Sequence, residues 1–141
     1  MRWIQQLAMR AFIAAHGALY ALSDGRIGGR MGNLRILLLT TTGRRSGRAR
    51  TVPLVFFEDG ERLVVIASKG GAPRDPLWWE NLQKHPEAVV QIGGEKRAMR
   101  ARLASPEERA RLWPRIKREN PAYAEYEKRT AREIPVVLLC A

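Results

Sequence analysis

From Leu34 onward, short apolar runs alternate with turn residues, which is the pattern of β-strands joined by hairpins. The six runs, rich in Val, Ile, Leu and Phe, are LRILLLT, TVPLVFFED, RLVVIAS, AVVQIGG, KRAMRARLA and IPVVLLC. Asp59-Gly60 and Gly93-Gly94 stand between neighbouring runs, and glycine supplies the positive φ that a tight hairpin needs. Six such strands are too many for one flat sheet of this size. The pattern therefore predicts an α+β fold, a mostly antiparallel six-stranded barrel with helices outside.

Three helices are predicted between these strands. In DPLWWENLQKH, Asp75 is expected to be the N-cap and Pro76 the first helical residue. In SPEERARLWPRIKREN, Ser105 and Glu108 have capping-box spacing, and Pro114 is expected to kink or end the helix. The segment PAYAEYEKRT predicts a third, shorter helix just before the last strand.

The first 22 residues carry apolar side chains at a repeat of three and four, which predicts an amphipathic helix. The apolar positions are Trp3, Ile4, Leu7, Ala8, Ala11, Phe12, Ala15, Leu19 and Leu22. We expect this stripe to pack against the domain. No acidic residue precedes Asp24, so contact with an anionic membrane surface or a position beside a ligand channel is the alternative. The glycine-rich stretch that follows lacks dinucleotide-binding spacing and predicts a turn, so we take residues 1–33 as an N-terminal segment and 34–141 as the barrel of one globular domain.

The charge balance indicates an anionic partner. The chain has 25 Lys and Arg against 14 Asp and Glu, a net charge of +11 at pH 7. Nucleic acid, an acidic membrane surface and an acidic cofactor all fit that charge. The single cysteine, Cys140, has no partner within the chain, and Arg10 and His16 interrupt the longest apolar stretch. We therefore expect a cytoplasmic protein, with contact at the inner face of the membrane as a variant of that expectation.

Several kinds of catalytic site are not supported by the sequence. One cysteine and two distant histidines, His16 and His85, do not predict a metal site. No serine has an evident histidine partner for nucleophilic catalysis. The stretch GRRSGRAR lacks the lysine and following helix of a P-loop. The chain is therefore either a binding module or an enzyme whose chemistry is supplied by a cofactor.

Two basic, glycine-containing loops are candidates for an anion site. GRRSGRAR joins two predicted strands and gathers Arg44, Arg45, Arg48 and Arg50 around small residues. Such a loop offers backbone amides and bidentate guanidinium groups to phosphate or carboxylate oxygens, although a solvated hairpin tip is the alternative. A second loop, ASKGGAPRDP, leaves another strand and leads into a helix start. Two such loops from neighbouring strands are expected to face each other across a groove.

The segment from Leu34 to Leu139, including both loops, ERARLWPRI and REIPVVLL, resembles the deazaflavin (coenzyme F420)-dependent nitroreductase family. The resemblance implies a split, FMN-binding-like β-barrel and coenzyme F420 as cofactor. It implies that the coenzyme's phosphate and acidic tail are held by Arg44, Arg45, Ser46, Gly47 and Arg50. The deazaflavin ring and linker would lie along Ala67, Ser68, Lys69, Gly70, Gly71 and Ala72. The pocket would be walled by Pro53, Pro76, Trp78 and Trp79.

The resemblance also implies an activity, hydride transfer from reduced F420 to a quinone, a nitro compound or an activated enone. Tyr123, Tyr126 and Ser68 would supply the hydroxyls that stabilise or protonate the acceptor oxygen. Asn120 stands where relatives often have a tyrosine, which favours quinone reduction over nitroimidazole reduction. Two alternatives stay open: a coenzyme- or lipid-binding member of the same fold with little turnover, and a basic nucleic-acid-binding module.

Overall fold

The computed structural model describes residues 2–23, 25–26 and 28–141, with the backbone alone described for residues 2, 3, 6 and 31. The helices are α1 (Arg2–Leu22), α2 (Leu77–Lys84), α3 (Pro106–Glu119) and α4 (Ala122–Arg129). The strands are β1 (Arg30–Met31), β2 (Leu34–Thr42), β3 (Ala49–Asp59), β4 (Arg62–Ile66), β5 (Glu87–Ile92), β6 (Glu95–Leu103) and β7 (Val136–Cys140). A single 3-10 turn covers Lys69–Gly71.

Six of these strands close into a barrel. Their order is β2-β3-β4-β7-β6-β5, and β5 pairs again with β2, while the two-residue β1 is added beside β2. Each pairing between these strands is antiparallel. The hairpin turns at Gly60 and Gly93 have φ of +63° and +59°, the left-handed conformation that glycine adopts without steric cost. The predicted six-stranded antiparallel barrel is confirmed.

Alternating side chains of all six strands fill the barrel interior, and α2 contributes Trp78, Trp79 and Leu82 to the same hydrophobic cluster. The outward faces of β4 and β7 form a second cluster with side chains from α3 and α4, among them Trp113 and Tyr123. β4 and β7 are continuous apolar runs because α3 and α4 cover their outer faces while the barrel core covers their inner faces.

The barrel is open between β3 and β4 at one end. β4 pairs with β3 only at Phe57–Asp59, so residues 49–56 of β3 have no ladder partner on that side. Pro53 lies in this unpaired half, where its missing N–H removes no bond to β4. β2 and β4 both run toward this end. The loops that follow them, residues 43–48 and 67–75, therefore leave the barrel at the same end.

Two helix-end predictions need correction. The N-cap of α2 is Pro76, without a side-chain cap, because the carboxylate of Asp75 instead pairs with Arg132 at 2.9 Å. The capping box of Ser105 and Glu108 at the start of α3 is confirmed. However, α3 does not end at Pro114 but continues to Glu119. Its proline is exposed and removes one backbone bond, while the buried side chains around it keep the helix on the barrel.

The packing expected for the N-terminal helix is wrong. Every described member of the predicted apolar stripe on α1 is exposed, including Leu7, Phe12, Leu19 and Leu22. Trp3 and Asp24, which also entered that prediction, lie outside the described side chains and residues. Among the described residues, no helix is long and apolar enough to cross a bilayer.

The opposite face of α1 packs on the barrel because it carries polar anchors as well as apolar groups. The hydroxyl of Tyr20, a residue that is 1% exposed, donates to the carbonyl of Gln91 at 3.2 Å and accepts from the amide of Gly93 at 3.0 Å. The imidazole Nε2 of His16 lies 2.8 Å from the carbonyl of Gly28. Apolar periodicity alone cannot identify such anchors, because tyrosine and histidine are polar at their tips.

Candidate active site

The loop between β2 and β3, residues 43–48, is a compact turn stabilised by its own backbone. The amide of Gly43 donates to the carbonyl of Arg48 at 2.8 Å, and the amide of Gly47 donates to the carbonyl of Gly43 at 2.9 Å. Gly47 has φ of +71°, and a side chain at Gly43 would place its Cβ 2.8 Å from Ser46 Oγ. The two glycines are therefore required by the turn itself, as the sequence predicts for Gly47.

Polar side chains of α2 attach this loop to the end of the barrel. Asn81 accepts from the amide of Arg44 at 3.0 Å and donates to Thr41 Oγ1 at 3.1 Å. The Arg44 guanidinium pairs with Glu80 at 3.1 Å, and Lys84 donates to the Arg44 carbonyl at 2.9 Å. The charge of Arg44 is thus already neutralised, so this arginine holds the loop in place.

A cleft of about 740 Å³ lies between this loop, α1 and α2. Its lining includes five of the predicted site residues, Arg44, Arg45, Ser46, Arg50 and Trp78. The apolar part of the lining comes from Ile13, Ala14, Val52, Leu77 and Trp78. Trp78 is 7% exposed and belongs to the hydrophobic cluster of the barrel core as well as to the lining of the cleft.

The charges around this cleft favour an anion. Arg45, Arg48 and Arg50 are exposed and have no carboxylate partner among the residues that the structure describes. Arg10 of α1 also lines the cleft. Guanidinium groups that converge without counter-charges attract phosphate and carboxylate groups and can bind them in bidentate fashion.

The second predicted loop, which follows β4, has an unusual backbone. Lys69, Gly70 and Gly71 have φ of +46°, +63° and +82°, and Lys69 is the one described non-glycine residue with positive φ. A Cβ on Gly71 would lie 2.7 Å from the Tyr126 carbonyl oxygen and 2.9 Å from Arg129 Cβ. The loop and α4 therefore approach each other more closely than a side chain at Gly71 would allow.

The remaining predicted residues lie outside the lining of the cleft. Ala67 and Ser68 are buried where the chain leaves β4, and Pro76 is buried at the start of α2. Gly47, Pro53 and residues 67–72 are not part of the cleft lining, although residues 67–72 leave the barrel at the same end.

The two predicted tyrosines of α4 have different surroundings. Tyr123 is 6% exposed and packs in the cluster with Phe57 and Trp113. Burial raises the pKa of its phenol to about 12, and the neighbouring Tyr126 adds to the rise, while a hydrogen bond with Asn120 opposes it. Tyr126 is half-buried, with its ring centroid 5.9 Å from that of Tyr123. Both phenols lie on the helix that packs against the loop at Gly71.

Comparison with known proteins identifies the family to which the chain belongs. The model of the F420H(2)-dependent quinone reductase family matches residues 12–141. The chain belongs to this family. An F420H(2)-dependent quinone reductase from Mycobacterium tuberculosis is 38% identical over 143 residues, covering 98% of this chain and 95% of the relative. The resemblance drawn from the sequence is thus confirmed.

Two solved structures have the same fold as this member of the F420H(2)-dependent quinone reductase family. A structure of an F420-H2 dependent reductase has a TM-score of 0.67 and 40% identity, covering 74% of this chain and 92% of its own. A second structure, described as a domain-swapped dimer, has a TM-score of 0.71 and 33% identity, covering 98% of this chain and 97% of its own. The family consists of oxidoreductases that use reduced coenzyme F420.

The residues of this family member fit the coenzyme. The coenzyme carries a phosphate and glutamate groups, which suit a row of cations, and Arg45, Arg48 and Arg50 are exposed with no carboxylate partner among the described residues. The planar deazaflavin needs close approach to a backbone, and the exposed Gly70 offers such a backbone, since no atom lies within 4 Å of a Cβ built there.

Four residues that line the cleft or support its loops were missed by sequence reasoning. Arg10 lines the cleft from α1 and was not among the predicted site residues. Asn81 and Glu80 read as ordinary helix residues, and only the fold brings them to the arginine loop. Arg132 lies between α4 and β7 and contacts the second loop. The sequence offers a weak signal for it, since Arg132 is the first residue of the REIPVVLL segment that carries part of the family resemblance.

Proposed function

We propose that this chain catalyses the reduction of a quinone by F420H2 at the open end of its barrel. The observation that carries the proposal is that two loops leave the barrel at that end. One has three arginines with no carboxylate partner among the described residues, and the other exposes a backbone without a side chain at Gly70. The anionic tail of the coenzyme needs the first of these environments, and its planar ring needs the second.

The arginine loop binds the acidic end of the coenzyme. Arg45 and Arg50 contact phosphate or carboxylate oxygens, Ser46 and Gly47 shape the turn, and Arg44 keeps the loop on α2 through Glu80. Arg10 adds a cation from the opposite wall of the cleft. Residues 67–72 lie along the ring and linker, with Pro53, Pro76 and Trp78 forming the surrounding walls.

Hydroxyl groups near the ring act on the acceptor. When bound, reduced F420 supplies a hydride from a ring carbon to an electron-poor acceptor. Negative charge then develops on the acceptor oxygen, and Tyr126, Tyr123 or Ser68 stabilises or protonates it. Burial raises the pKa of Tyr123 to about 12, which makes its phenol a weaker acid than an exposed tyrosine and favours hydrogen bonding to the acceptor oxygen over proton transfer to it.

The acceptor class is a quinone rather than a nitroimidazole. The family name supports a quinone, and Asn120 at the end of α3 offers an amide where relatives often place a further phenol. Nitro compounds and activated enones are secondary candidates, which a panel of acceptors compares directly.

The deciding experiment mixes purified protein with F420H2 and menadione, plumbagin, a nitroimidazole and an enone, and follows F420H2 oxidation. Turnover with the quinones supports the proposal. Tight coenzyme binding without turnover on any acceptor would instead identify a carrier of the coenzyme, the alternative left open by the sequence.

The binding residues are tested by fluorescence titration of F420. Arg50→Ala and Lys69→Ala are expected to weaken binding more than tenfold, because each removes a cation from one of the two loops. Arg118→Ala, an exposed arginine on α3, is the matched control and is expected to bind like the wild type. Unchanged affinity in both loop variants would sink the site assignment.

We also propose that the exposed face of α1 lies on an anionic membrane surface. Ile4, Leu7, Phe12, Leu19 and Leu22 are 46–86% exposed on a helix without a single acidic residue. An exposed apolar face on a helix that carries two arginines and no acidic residue has the features of an interfacial helix, and a quinone acceptor dissolves in the same membrane.

This surface is tested by vesicle flotation and sedimentation together. Binding to anionic but not zwitterionic vesicles, reduced in Leu7→Ser/Phe12→Ser, supports the membrane. A dimer that dissociates in that variant, without vesicle binding, would overturn it in favour of a second copy of the chain, the arrangement described for one solved relative.

A further inference from the structure

Arg132 makes four hydrogen bonds to a single loop. Its Nε donates to the carbonyl of Ala72 at 2.9 Å, and its Nη2 donates to the carbonyl of Ser68 at 2.9 Å. Its Nη1 donates both to the carbonyl of Ala67 at 3.2 Å and to the carboxylate of Asp75 at 2.9 Å. Only 16% of this side chain is exposed, so the guanidinium is largely committed to the 67–75 loop.

The loop needs such support because its own bonds are few. Lys69, Gly70 and Gly71 are three consecutive residues in the left-handed region, and a lysine there costs about 1–2 kcal/mol. Within the loop, the amide of Gly71 donates to the Ser68 carbonyl and the amide of Ala72 to the Lys69 carbonyl. A strained backbone of this kind persists only where its surroundings determine it.

The contacts of Arg132 also set which way two peptide groups point. In a trans peptide, the carbonyl and the following amide point in opposite directions. Because the carbonyls of Ala67 and Ser68 turn toward Arg132, the amides of Ser68 and Lys69 turn away from it. Neither amide donates to another described residue. The loop therefore presents two backbone donors on the side away from Arg132.

A guanidinium is suited to this task in a way that an ammonium is not. Its donors lie in one plane in a rigid fork, so a single group can reach three carbonyls and a carboxylate around a curved backbone. Asp75 supplies the counter-charge, and it is the same carboxylate that does not cap α2. Arg132 and Asp75 thus connect the loop to the segment that starts α2.

We propose that Arg132 is a positioning residue that holds the 67–75 loop, with the amides of Ser68 and Lys69 turned outward, in the conformation that binds the coenzyme. This inference rests on the function proposed above, and it assigns Arg132 no contact with the coenzyme. Asp75 acts with it by fixing the orientation of the guanidinium.

The test compares Arg132→Lys, Arg132→Met and Asp75→Asn with Arg62→Met as the matched control. Arg62 is also partly buried and pairs with two carboxylates, but these are Asp59 and Glu108 beyond the other end of β4. Hydrogen exchange of the coenzyme-free proteins, resolved by mass spectrometry, reports on the loop. Fluorescence titration gives the Kd for F420, and urea unfolding gives stability.

In both Arg132 variants we expect peptides covering residues 67–75 to exchange at least tenfold faster while those of β5 and β6 keep their wild-type rates. The Kd for F420 should rise more than tenfold, and the lysine variant should not restore it. Asp75→Asn should show the same changes to a smaller degree. Arg62→Met should lose stability while its loop exchange and Kd stay within twofold of the wild type.

Two results would overturn the proposal. One is wild-type exchange in the 67–75 loop of the Arg132 variants. The other is faster loop exchange with a Kd within twofold of the wild type, since the loop conformation would then not control binding. If Arg132→Met does not fold, Arg132→Lys and Asp75→Asn decide by the same criteria. Failure of the wild-type protein to bind F420 contradicts the proposed function, and the exchange rates still decide whether Arg132 orders the loop.

Discussion

Single residues determine how closely the elements around the site approach, either because they have no side chain or because their side chain is already paired. Gly71 allows α4 to approach the second loop, since even one carbon atom there would meet the backbone of Tyr126. Arg44, by contrast, looks like a ligand-binding residue in the sequence but is already paired with Glu80. Neighbouring arginines in one loop thus have different tasks, one structural and the others open to an anion.

Gly71→Ala is expected to lower the free energy of unfolding by about 2 kcal/mol or more, combining the left-handed backbone with the forced shift of α4. F420 binding should weaken about tenfold, because α4 and the loop separate. Urea unfolding and coenzyme titration measure the two effects.

Gly60→Ala provides the control for that substitution. Gly60 has φ of +63° in the turn between β3 and β4, and no atom lies within 4 Å of a Cβ built there. Gly60→Ala should lower the free energy of unfolding only by the cost of a left-handed backbone at alanine, about 1–2 kcal/mol, and should leave coenzyme affinity unchanged. Equal effects of the two substitutions on affinity would show that the contact with α4 does not matter for binding.

At the level of elements, an ion network joins the turn between β3 and β4 to α3. Asp59 pairs with Arg62 at 2.6 Å and with Arg111 at 2.9 Å, and Glu108 pairs with Arg62 and Arg102. Hydrogen bonds from Arg111 and then Arg62 lower the pKa of Asp59 to about 2, against the opposing effect of burial. The pKa of Glu108 is lowered as well, chiefly by Arg102.

This network predicts a pH dependence of stability. A carboxylate whose pKa is lowered on folding stabilises the protein at any pH above its pKa in the unfolded chain. That contribution is lost as the pH falls to its pKa in the folded protein. For Asp59 the window runs from about pH 4, near the ordinary value of 3.8, down to about 2. The difference in urea midpoint between the wild type and Asp59→Asn should be largest at pH 6 and shrink across this window.

Glu125→Gln is the comparison for the acidic window, because Glu125 and Lys128 form a largely exposed pair on α4. Exposed pairs contribute little to stability, so its midpoint should stay near that of the wild type at pH 6. A pH-independent difference between the wild type and Asp59→Asn would contradict the assignment of the network.

Elements with local signals could be predicted from the sequence, and those fixed by long-range contacts could not. Residues close together in the sequence determine the six barrel strands, the hairpin glycines and the capping box at Ser105, so these could be predicted. The orientation of α1 is decided by Tyr20 reaching Gly93, 73 positions along the chain. The cap of α2 was mispredicted for the same reason, because Asp75 finds its partner at Arg132, 57 positions away. The arginine loop was recognised, but its attachment to Asn81 depends on the fold.

For the whole molecule, the net charge of +11 acts on any anionic ligand at long range. Arg45, Arg48 and Arg50, which have no carboxylate partner among the described residues, lie at the open end of the barrel and strengthen this field beside the cleft. Elsewhere, many basic side chains are paired, as in the network around Asp59 and Glu108. The distribution of charge therefore says more about binding than its sum does.

Coenzyme affinity is expected to depend on salt. Raising NaCl from about 0.05 M to about 0.5 M shortens the Debye length from about 14 Å to about 4 Å and should weaken F420 binding roughly tenfold. Titrations across this range measure the slope, which should be shallower in Arg50→Ala. A deazaflavin without phosphate and glutamate groups should bind with little salt dependence. The same slope for both ligands would place the acidic tail outside the arginine loop.

The filled interior of the barrel has a consequence for turnover. Side chains from all six strands and α2 occupy it, so a ligand must lie in the open cleft at one end rather than inside. A coenzyme held there has a direct path to bulk solvent. It should therefore leave after each reaction and be replaced by a reduced molecule, as a diffusing co-substrate does. Passage of the loaded protein through a desalting column should then remove the coenzyme, and the catalytic rate should follow the supply of F420H2 from whichever enzyme regenerates it.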